Sequence, residues 1–582
     1  MGNLRRHSAL GLFCCLFLPA VFAVTALGQT DRFFKPTEGF IQAKNLSEGF
    51  QAKVRSIQLD VKDAFEGAVV HSETEQRLYD LGNKWHVESR PGTIRRRLLF
   101  REGDIVTKGL LLETEKTLRG EEFLADAVLE VKILEDGSAI VKATTYDQWT
   151  TVPGVSLQRL GGEWIYWLGP VESNLFGTGQ RLGFFIGHDQ FRDTRWLDYN
   201  NNALTSAKLR LAAHAAWLSD GYSTLFALSR PLLSRNERYA FSASQSSDEL
   251  TEWVYFDHNR LDELSDSLAR ALSGRSVAEA QFTRMATLDL NLSVTRSFGD
   301  RTKFNVSPTF DRKDRYLHGR LGISPTLDSA LSLPGSTYDP GVRLDNLLGV
   351  NFSLYQYAYK TVHNFRNLKW GETLETGWRL STKTALNQEW MGARNSDFHL
   401  SHQAVYTNAW FDALFLNSNA SLSYYVSPQG DFDDGYLNAA WEGQWKPHPL
   451  VATWLAASWG QLFAYEKSQQ LVLGEESGLN GYPNAFYAGQ ARLLLEAEQR
   501  FFPTFEFGTV VPALAVFVNA GNTFEAYGDF DPEELHYSAG FGLRLGASKS
   551  VQKVVNHINL SWPIGDDRLS GPVFSIRAKK NL

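Results

Sequence analysis

Cysteine is almost absent from this chain of 582 residues, and its position is informative. Only Cys14 and Cys15 occur, and both lie in an apolar stretch near the N-terminus. Residues 1–28 combine a charged start, this apolar stretch and small residues at the end, which predicts a secretory signal peptide cleaved after Gly28 or, alternatively, Ala23. The mature chain then lacks thiols, which excludes a disulfide framework and cysteine-based redox or zinc chemistry.

Long apolar runs are missing as well. Past residue 28 no run reaches the length of about 18 residues that a transmembrane helix needs. Positive charge is not in excess either, because 58 Lys and Arg stand against 65 Asp and Glu, which argues against nucleic acid as a partner. Two classes fit a chain with 13% aromatic residues. One is a large soluble β protein, and the other is an exported membrane barrel.

Motifs for catalysis and metal binding are also lacking. The sequence contains neither a G-x-S-x-G nucleophile elbow nor an H-E-x-x-H zinc motif. The closest histidines, His399 and His402, would point to opposite faces of a strand. Acidic runs at 431–434 and 529–531 lack the spacing of an EF-hand loop. We therefore predict neither an enzyme nor a bound metal or cofactor.

In the C-terminal three quarters of the chain, polar and apolar residues alternate. Residues 420–427 place apolar side chains on one strand face and mostly serine on the other, and Leu493, Leu495 and Ala497 share one face of a later strand. A soluble sandwich would need two packed sheets for such strands. Residues 151–582 are therefore predicted to form an all-β transmembrane barrel of about 16 antiparallel strands with an apolar exterior and a polar lumen.

A different pattern precedes the barrel. Residues 51–150 mix the periods of strands and helices, which predicts one small α+β domain. Residues 29–50 are too few for a second domain and are interpreted as a linker. The predicted elements are a strand around Ile57–Val61, helices at Pro91–Phe100 and Lys108–Arg119, and strands at Ala127–Ile133 and Ala139–Ala143.

Two segments about forty residues apart carry a resemblance to a known family. The loop at 474–483 resembles the R-G-Y lid-loop tip, and Phe517-Val518-Asn519-Ala520-Gly521 resembles the F-x-D-x-G strand, of the outer-membrane assembly-factor superfamily. That superfamily includes BamA, TamA, two-partner-secretion transporters and bacterial surface antigen barrels. The segment 51–150 is similar to its periplasmic POTRA domain. Asn480 stands where the family has Arg, and Asn519 stands where it has Asp.

The resemblance implies a lid loop held against the barrel wall. The lid residues are Asn480, Gly481 and Tyr482, and the wall residues are Phe517, Asn519 and Gly521. Strand alternation turns Asn519 towards the lumen, opposite the lipid-facing Leu514, Val516 and Val518. We expect an Asn480–Asn519 contact, worth about 0.5–1.5 kcal/mol against about 1.5–3 kcal/mol for a charged hydrogen bond. The alternative is coincidence, because Asn is common in loops and turns.

The function that the resemblance implies is translocation or insertion of proteins at the outer membrane of a Gram-negative bacterium, with the POTRA domain in the periplasm. Leu129, Val131 and Ile133 are predicted to form a sheet edge to which extended clients add a strand. The seam, where the last strand, Val573–Leu582, meets the first, is a second client site. Implied partners are outer-membrane lipid, unfolded or exported proteins and a periplasmic partner protein. A secretion transporter for one exported protein, or a passive or lipid-handling pore, remains an alternative.

Overall fold

The computed structural model describes most of the chain after residue 35. The predicted signal peptide, both cysteines and Leu582 lie outside the described residues. The described residues are 36–64, 77, 86–148, 150–234, 236–251, 253–255, 279–281, 285–317, 343–363, 371–411, 413–464, 470–503, 510–524, 527–547, 554–566, 568–569 and 571–580.

The N-terminal part forms a small α+β domain, which we call the N-domain (residues 36–148 as described). Its sheet has the order β1-β4-β5-β2-β3, in which β2 runs parallel to β5 and the other neighbours are antiparallel. Its elements are β1 (Ile41–Gln42), β2 (Gln51–Lys62), α1 (Pro91–Arg97), β3 (Ile105–Thr107), α2 (Lys108–Arg119), β4 (Leu124–Ile133) and β5 (Ala139–Asp147).

The predicted order of strand, helix, helix, strand and strand is confirmed, with two short strands added at the sheet edges. Helix α2 starts where Thr107 accepts a hydrogen bond from the Leu110 N–H at 3.2 Å. It buries Leu111 and Leu118 against the sheet. Residues 41–46, which the sequence analysis assigned to a linker, contribute β1 and buried side chains to this domain.

The C-terminal part is a closed antiparallel barrel of 20 strands. Two further hairpins, β13 (Trp253–Tyr255) with β14 (Glu279–Gln281) and β23 (Leu471–Leu473) with β24 (Tyr487–Gly489), lie in connections. The barrel strands are β6 (Thr151–Leu160), β7 (Glu163–Glu172), β8 (Gln180–His188), β9 (Asp193–Asn201), β10 (Arg210–Leu218), β11 (Gly221–Arg230), β12 (Tyr239–Leu250), β15 (Met285–Phe298), β16 (Lys303–Leu317), β17 (Arg343–His363), β18 (Gly371–Asn387), β19 (Asp397–Trp410), β20 (Leu414–Val426), β21 (Phe432–His448), β22 (Val451–Phe463), β25 (Ala491–Phe501), β26 (Val510–Phe524), β27 (His536–Ala547), β28 (Val554–Ile564) and β29 (Val573–Lys580). Short 3-10 helices occupy Ala43–Asn45, Leu175–Gly177, Glu389–Met391, Tyr527–Asp529 and Pro532–Glu534.

The predicted count of about 16 strands is wrong, because it assumed a long outer loop after every second strand. Several connections are as short as two residues, such as the turn at 219–220 between β10 and β11. Short turns leave room for four more strands in the same length of chain. Among the described residues, neither helix of the N-domain, nor any other, is long and apolar enough to cross a membrane.

The barrel wall is apolar outside and polar inside, as alternation predicted. On β26 the outward Leu514 and Val518 are 56% and 50% exposed, whereas the inward Asn519 is 2% exposed. Other strands repeat the exposed apolar row, with Val294 on β15 and Phe541 on β27 as examples. The wall of this barrel is therefore built the opposite way from a soluble protein, which keeps its large apolar side chains inside.

The barrel closes at a seam between β29 and β6. Here only one residue pair, Ile576 with Arg159, is in ladder register. The neighbouring pair of strands, β28 and β29, has eight such pairs. The Arg159 guanidinium adds one bond, donating to the Phe574 carbonyl oxygen at 2.6 Å. The seam is the junction of the barrel with the fewest backbone pairings.

The N-domain docks on the turns at one end of the barrel. Arg97 on α1 is buried, where it forms an ion pair with Glu121 at 3.1 Å and donates to the Gly179 carbonyl oxygen at 3.0 Å. Thr93 donates to the Gly177 carbonyl oxygen at 3.0 Å. Gly179 has a φ of +63°, and a side chain there would meet Arg97 at 2.6 Å. These contacts fix which barrel end faces the N-domain.

Candidate functional site

The candidate site is the lid loop, defined here as Gly474–Phe486, together with the wall that it contacts. The loop lies between β22 and β25 and is pinned at its base by the β23–β24 hairpin. Instead of extending outward, it packs against inward-facing side chains of the barrel. Its apolar cluster comprises Leu473, Leu479, Tyr482, Phe486, Tyr487 and the wall residue Leu494.

Asn519 does contact the lid, but through a different partner than predicted. Its side-chain amide donates to the carbonyl oxygen of Gly478 at 3.1 Å. The predicted Asn480–Asn519 hydrogen bond is therefore wrong in its lid residue. Gly478 approaches the wall so closely, at a φ of +123°, that a side chain there would lie 2.6 Å from Leu494. This close approach brings the backbone carbonyl of Gly478, rather than the Asn480 side chain, to the side-chain amide of Asn519.

Gly481 and Tyr482 lie at the wall, where the resemblance placed the lid tip. Gly481 has a φ of +87°, and a Cβ there would lie 3.1 Å from the Cβ of Ser561 on β28. The Tyr482 ring is fully buried, and its hydroxyl lies within donating distance of the carbonyl oxygens of Tyr537 at 3.1 Å and Ile564 at 3.3 Å. The tyrosine thus connects the lid to two neighbouring strands, β27 and β28.

The two other wall residues have different neighbours, because Gly521 lies at the lid base and Phe517 lies against Arg544. Gly521 has no room for a side chain, because a Cβ would lie 2.6 Å from the Leu493 carbonyl oxygen and 3.1 Å from the lid-base Leu473. The ring of Phe517 lies inside the barrel under the guanidinium of Arg544, 5.8 Å from the ring centroid. Of the predicted wall residues, Asn519 and Gly521 thus lie against the lid or its base, whereas Phe517 lies against Arg544.

A buried ion pair braces this wall. Arg544 binds both carboxylate oxygens of Glu498, at 3.0 Å and 2.7 Å, and also donates to Asn559 at 2.7 Å. Arg500 lies on the same carboxylate. The group joins strands β25, β27 and β28 across β26. Removal of one partner from such a pair leaves a buried charge uncompensated, so the pair is costly to break.

Sequence reasoning missed Glu475, the residue that ties the lid to the seam. Its carboxylate accepts a hydrogen bond from the Gly161 N–H at 2.8 Å, just beyond β6. Its backbone carbonyl accepts one from the guanidinium of Arg577 on β29. One lid residue therefore holds both strands of the seam. No sequence pattern announced this role, because the three groups lie more than a hundred residues apart.

Asn484 strengthens the same attachment. Its side-chain amide donates to the Leu160 carbonyl oxygen at 3.2 Å and to Gln190 at 3.0 Å. Its side-chain oxygen accepts from the Glu476 N–H at 3.0 Å, which orders the lid itself. Gly161 packs so tightly here that a Cβ would lie 2.4 Å from the Asn484 backbone nitrogen.

The predicted client edge is not free. Leu129 and Val131 are fully buried in the core of the N-domain, and only Ile133 is exposed. β1 pairs with β4 through Ile41 opposite Val131 and Gln42 opposite Glu130. The prediction of an open edge is therefore wrong at Leu129 and Val131, because a segment assigned to a linker covers it. In the described part of the chain, no group of three or more metal-ligating side chains is found.

No family model and no curated protein matches the sequence. Solved structures with a similar fold include BamA from Haemophilus ducreyi lacking POTRA domains 1–3, at 12% identity over 90% of this chain and 84% of that one, with a TM-score of 0.40. CdiB from Acinetobacter baumannii is 12% identical over 98% of both chains, with a TM-score of 0.39. CdiB from Escherichia coli is 11% identical over 98% of both chains, with a TM-score of 0.42.

Proposed function

We propose that this protein is a non-enzymatic outer-membrane barrel that translocates extended polypeptides or inserts them into the membrane. Its N-domain acts as a POTRA domain on the periplasmic side. The lid loop and the seam between β6 and β29 are its working parts. Each element of this proposal rests on a separate observation.

Placement in a bilayer is supported by the barrel wall. The exposed apolar rows, such as Leu514 and Val518 on β26, need an apolar solvent around them. Orientation is supported by the connections between strands. The three longest, 251–284, 318–342 and 464–490, all leave the end remote from the N-domain. Because such barrels have short periplasmic turns and long extracellular loops, the N-domain end is the periplasmic one.

The observation that carries the proposal is the way in which the seam is closed. Its two strands share one backbone ladder pair, and Glu475 of the lid bonds to both sides. If the lid moves, the seam loses these side-chain bonds and keeps few backbone bonds. A barrel whose weakest junction is controlled by a lumenal loop is suited to release a polypeptide sideways or along the lumen.

The lid itself is held by uncharged contacts along most of its length. Asn519 uses an amide and Tyr482 a hydroxyl, each worth about 0.5–1.5 kcal/mol. Their strength depends little on salt, since screening acts on charges. We infer that a client displaces the lid by exchanging these hydrogen bonds with its own backbone groups.

Photo-crosslinking in living cells tests the proposed function. A photoreactive residue at Phe574, on the exposed outer face of the seam, is compared with one at Phe541, exposed on the same wall two strands away. Adducts with exported polypeptides at Phe574 but not at Phe541 support the proposal. One repeated adduct points to a dedicated secretion transporter, and many point to an insertion factor. Lipid adducts alone, with a correctly assembled barrel, contradict the proposal and favour a passive or lipid-handling pore.

A further inference from the structure

The outer edge of β4 in the N-domain is closed by the chain's own groups. A free sheet edge presents unpaired N–H groups that another strand can join. Here the Leu129 N–H donates to the buried carboxylate of Glu115 at 2.7 Å, and the Ala127 N–H donates to Asp126 at 2.7 Å. Val131 is the next residue of β4 whose N–H group points to this edge, and it is paired with Ile41 of β1. The N–H groups of Ala127, Leu129 and Val131 are thus satisfied without a client.

Thr37 attaches the covering segment by an unusual contact. The carboxylate of Glu130 on β4 is fully buried, and it accepts both the backbone N–H and the hydroxyl of Thr37, at 3.0 Å and 2.6 Å. Lys142 of β5 donates to the same hydroxyl at 3.2 Å and pairs with Asp60 at 3.3 Å. A buried carboxylate therefore relies on one residue of the covering segment for two of its hydrogen bonds.

The covering strand is short compared with the edge that it covers. β1 contributes two ladder pairs, whereas β4 is ten residues long. Ile41 and, at the end of β4, Ile133 leave apolar surface exposed beside the pairing. Gly39 turns the chain between the two attachments, at a φ of +77°. Between Thr37 and Gln42, two separate contacts with a turn between them hold the chain, which is less than a full strand would provide. The buried Ala43 and Leu46 anchor the chain directly beyond this segment.

We propose that residues Thr37–Gln42 are a resident strand in a peptide-binding edge of the N-domain, and that an extended polypeptide takes their place there. The site selects a strand with a backbone N–H and a hydroxyl positioned as in Thr37, and with an apolar residue at the position of Ile41. The proposal rests on the proposed function only for the natural competitor, an exported polypeptide. The strand exchange is a property of this chain alone.

The covalent connection between the resident strand and the rest of the N-domain explains why the strand stays in place. A segment joined to its site by a short linker has an effective concentration on the order of millimolar. A free peptide competes poorly against such a neighbour, even with the same sequence. If the resident strand is weakened by mutation, the same free peptide should bind far better.

Binding of a labelled peptide to the full-length protein in detergent tests the proposal. The peptide has the sequence of residues 36–42, which leaves out the core positions of Ala43 and Leu46, and its scrambled version is the control. In Ile41→Pro the ladder donor of the resident strand is lost, whereas Ile41→Val keeps it. We expect Ile41→Pro to bind the peptide about tenfold more tightly, or better, than the wild type and Ile41→Val. Adding Glu130→Ala to Ile41→Pro should return binding to the wild-type level.

Amide hydrogen exchange at Val131 reports directly whether the edge has been vacated. Faster exchange in Ile41→Pro, reversed by added peptide, supports the proposal. Thr37→Val, which removes only the hydroxyl, should give a smaller gain in peptide binding. Peptide binding equal to that of the wild type in both variants, or an unchanged Val131 amide in Ile41→Pro, overturns the proposal. Neither result depends on transport, so failure here leaves the proposed function standing.

Discussion

Two sheet edges of this molecule are closed by another part of the same chain, and they are closed differently. At β4 in the N-domain, backbone N–H groups are satisfied by carboxylates and a short strand. At the barrel seam, one ladder pair remains and the lid residue Glu475 supplies side-chain and carbonyl bonds to both strands. The first edge is covered group by group, and the second is bridged at one point. A bridged edge opens when one residue moves, whereas a covered edge needs a competing strand.

Loss of the bridge should have the largest effect. Glu475→Ala leaves the Gly161 N–H without an acceptor and removes one of the three carboxylates, Glu475, Glu476 and Glu496, that stabilise the charge of Arg577, although the bond of Arg577 to the backbone carbonyl of residue 475 remains. The lost acceptor costs about 1–3 kcal/mol. We expect faster hydrogen exchange at Gly161 and higher protease sensitivity of the lid. Glu476→Ala, at the exposed neighbouring position, is the matched control, because it also removes a carboxylate near Arg577 but keeps the acceptor of the Gly161 N–H, whose exchange should not change. Equal effects of the two variants would remove Glu475 from its bridging role.

A change at the wall contact should have an intermediate effect. Asn519→Asp replaces an amide donor with a buried carboxylate that faces the Gly478 carbonyl oxygen, so the lid should loosen. Adding Asn480→Arg supplies a positive charge two residues after Gly478. This charge should restore part of the lost lid attachment, because a charged hydrogen bond is worth about 1.5–3 kcal/mol. Lid protection from proteolysis is measured for both single variants and the double variant. If the two changes were additive, the two positions would not interact.

The covered edge should respond more weakly, through one of its carboxylates. Burial raises the pKa of Glu115, which accepts the Leu129 N–H. The folded N-domain then holds the Glu115 proton more tightly than the unfolded chain, so this group lowers stability as pH rises through the raised pKa. Glu115→Gln keeps an acceptor oxygen and removes the titration. Its N-domain should lose less stability on going from mildly acidic to neutral pH than the wild type, in urea unfolding followed by hydrogen exchange.

Asp147 offers a related test away from both edges. Burial raises its pKa to about 6, although its carboxylate accepts the Ser89 N–H at 2.6 Å. Since the unfolded value is about 3.9, stability should fall as pH rises from about 4 to about 6 and then level off. Asp147→Asn should flatten that part of the profile. An identical pH profile for wild type and variant would contradict the raised pKa.

Sequence reasoning succeeded where the physics is local. Alternation on β26 correctly separated the outward Val518 from the inward Asn519, and the helical period of Leu111 and Leu118 gave helix α2. It failed where the result depends on distant segments. The Gly478 carbonyl reaches Asn519 because of the path of the lid, and residues 41–42 reach β4 from a stretch without strand periodicity. The predicted number of strands was wrong because the sequence does not mark which connections between strands are short turns.

A disulfide across the seam tests whether polypeptides pass through an opening between β6 and β29. Arg159→Cys with Ile576→Cys joins β6 to β29 at their one ladder pair, and Ile558→Cys with Ile576→Cys joins β28 to β29 as the matched control. With a photoreactive residue at Phe574, polypeptide adducts should disappear in the oxidised seam variant, return on reduction, and persist in the oxidised control. Undiminished adducts in the oxidised seam variant would show that polypeptides do not need the seam to open, and would contradict the account.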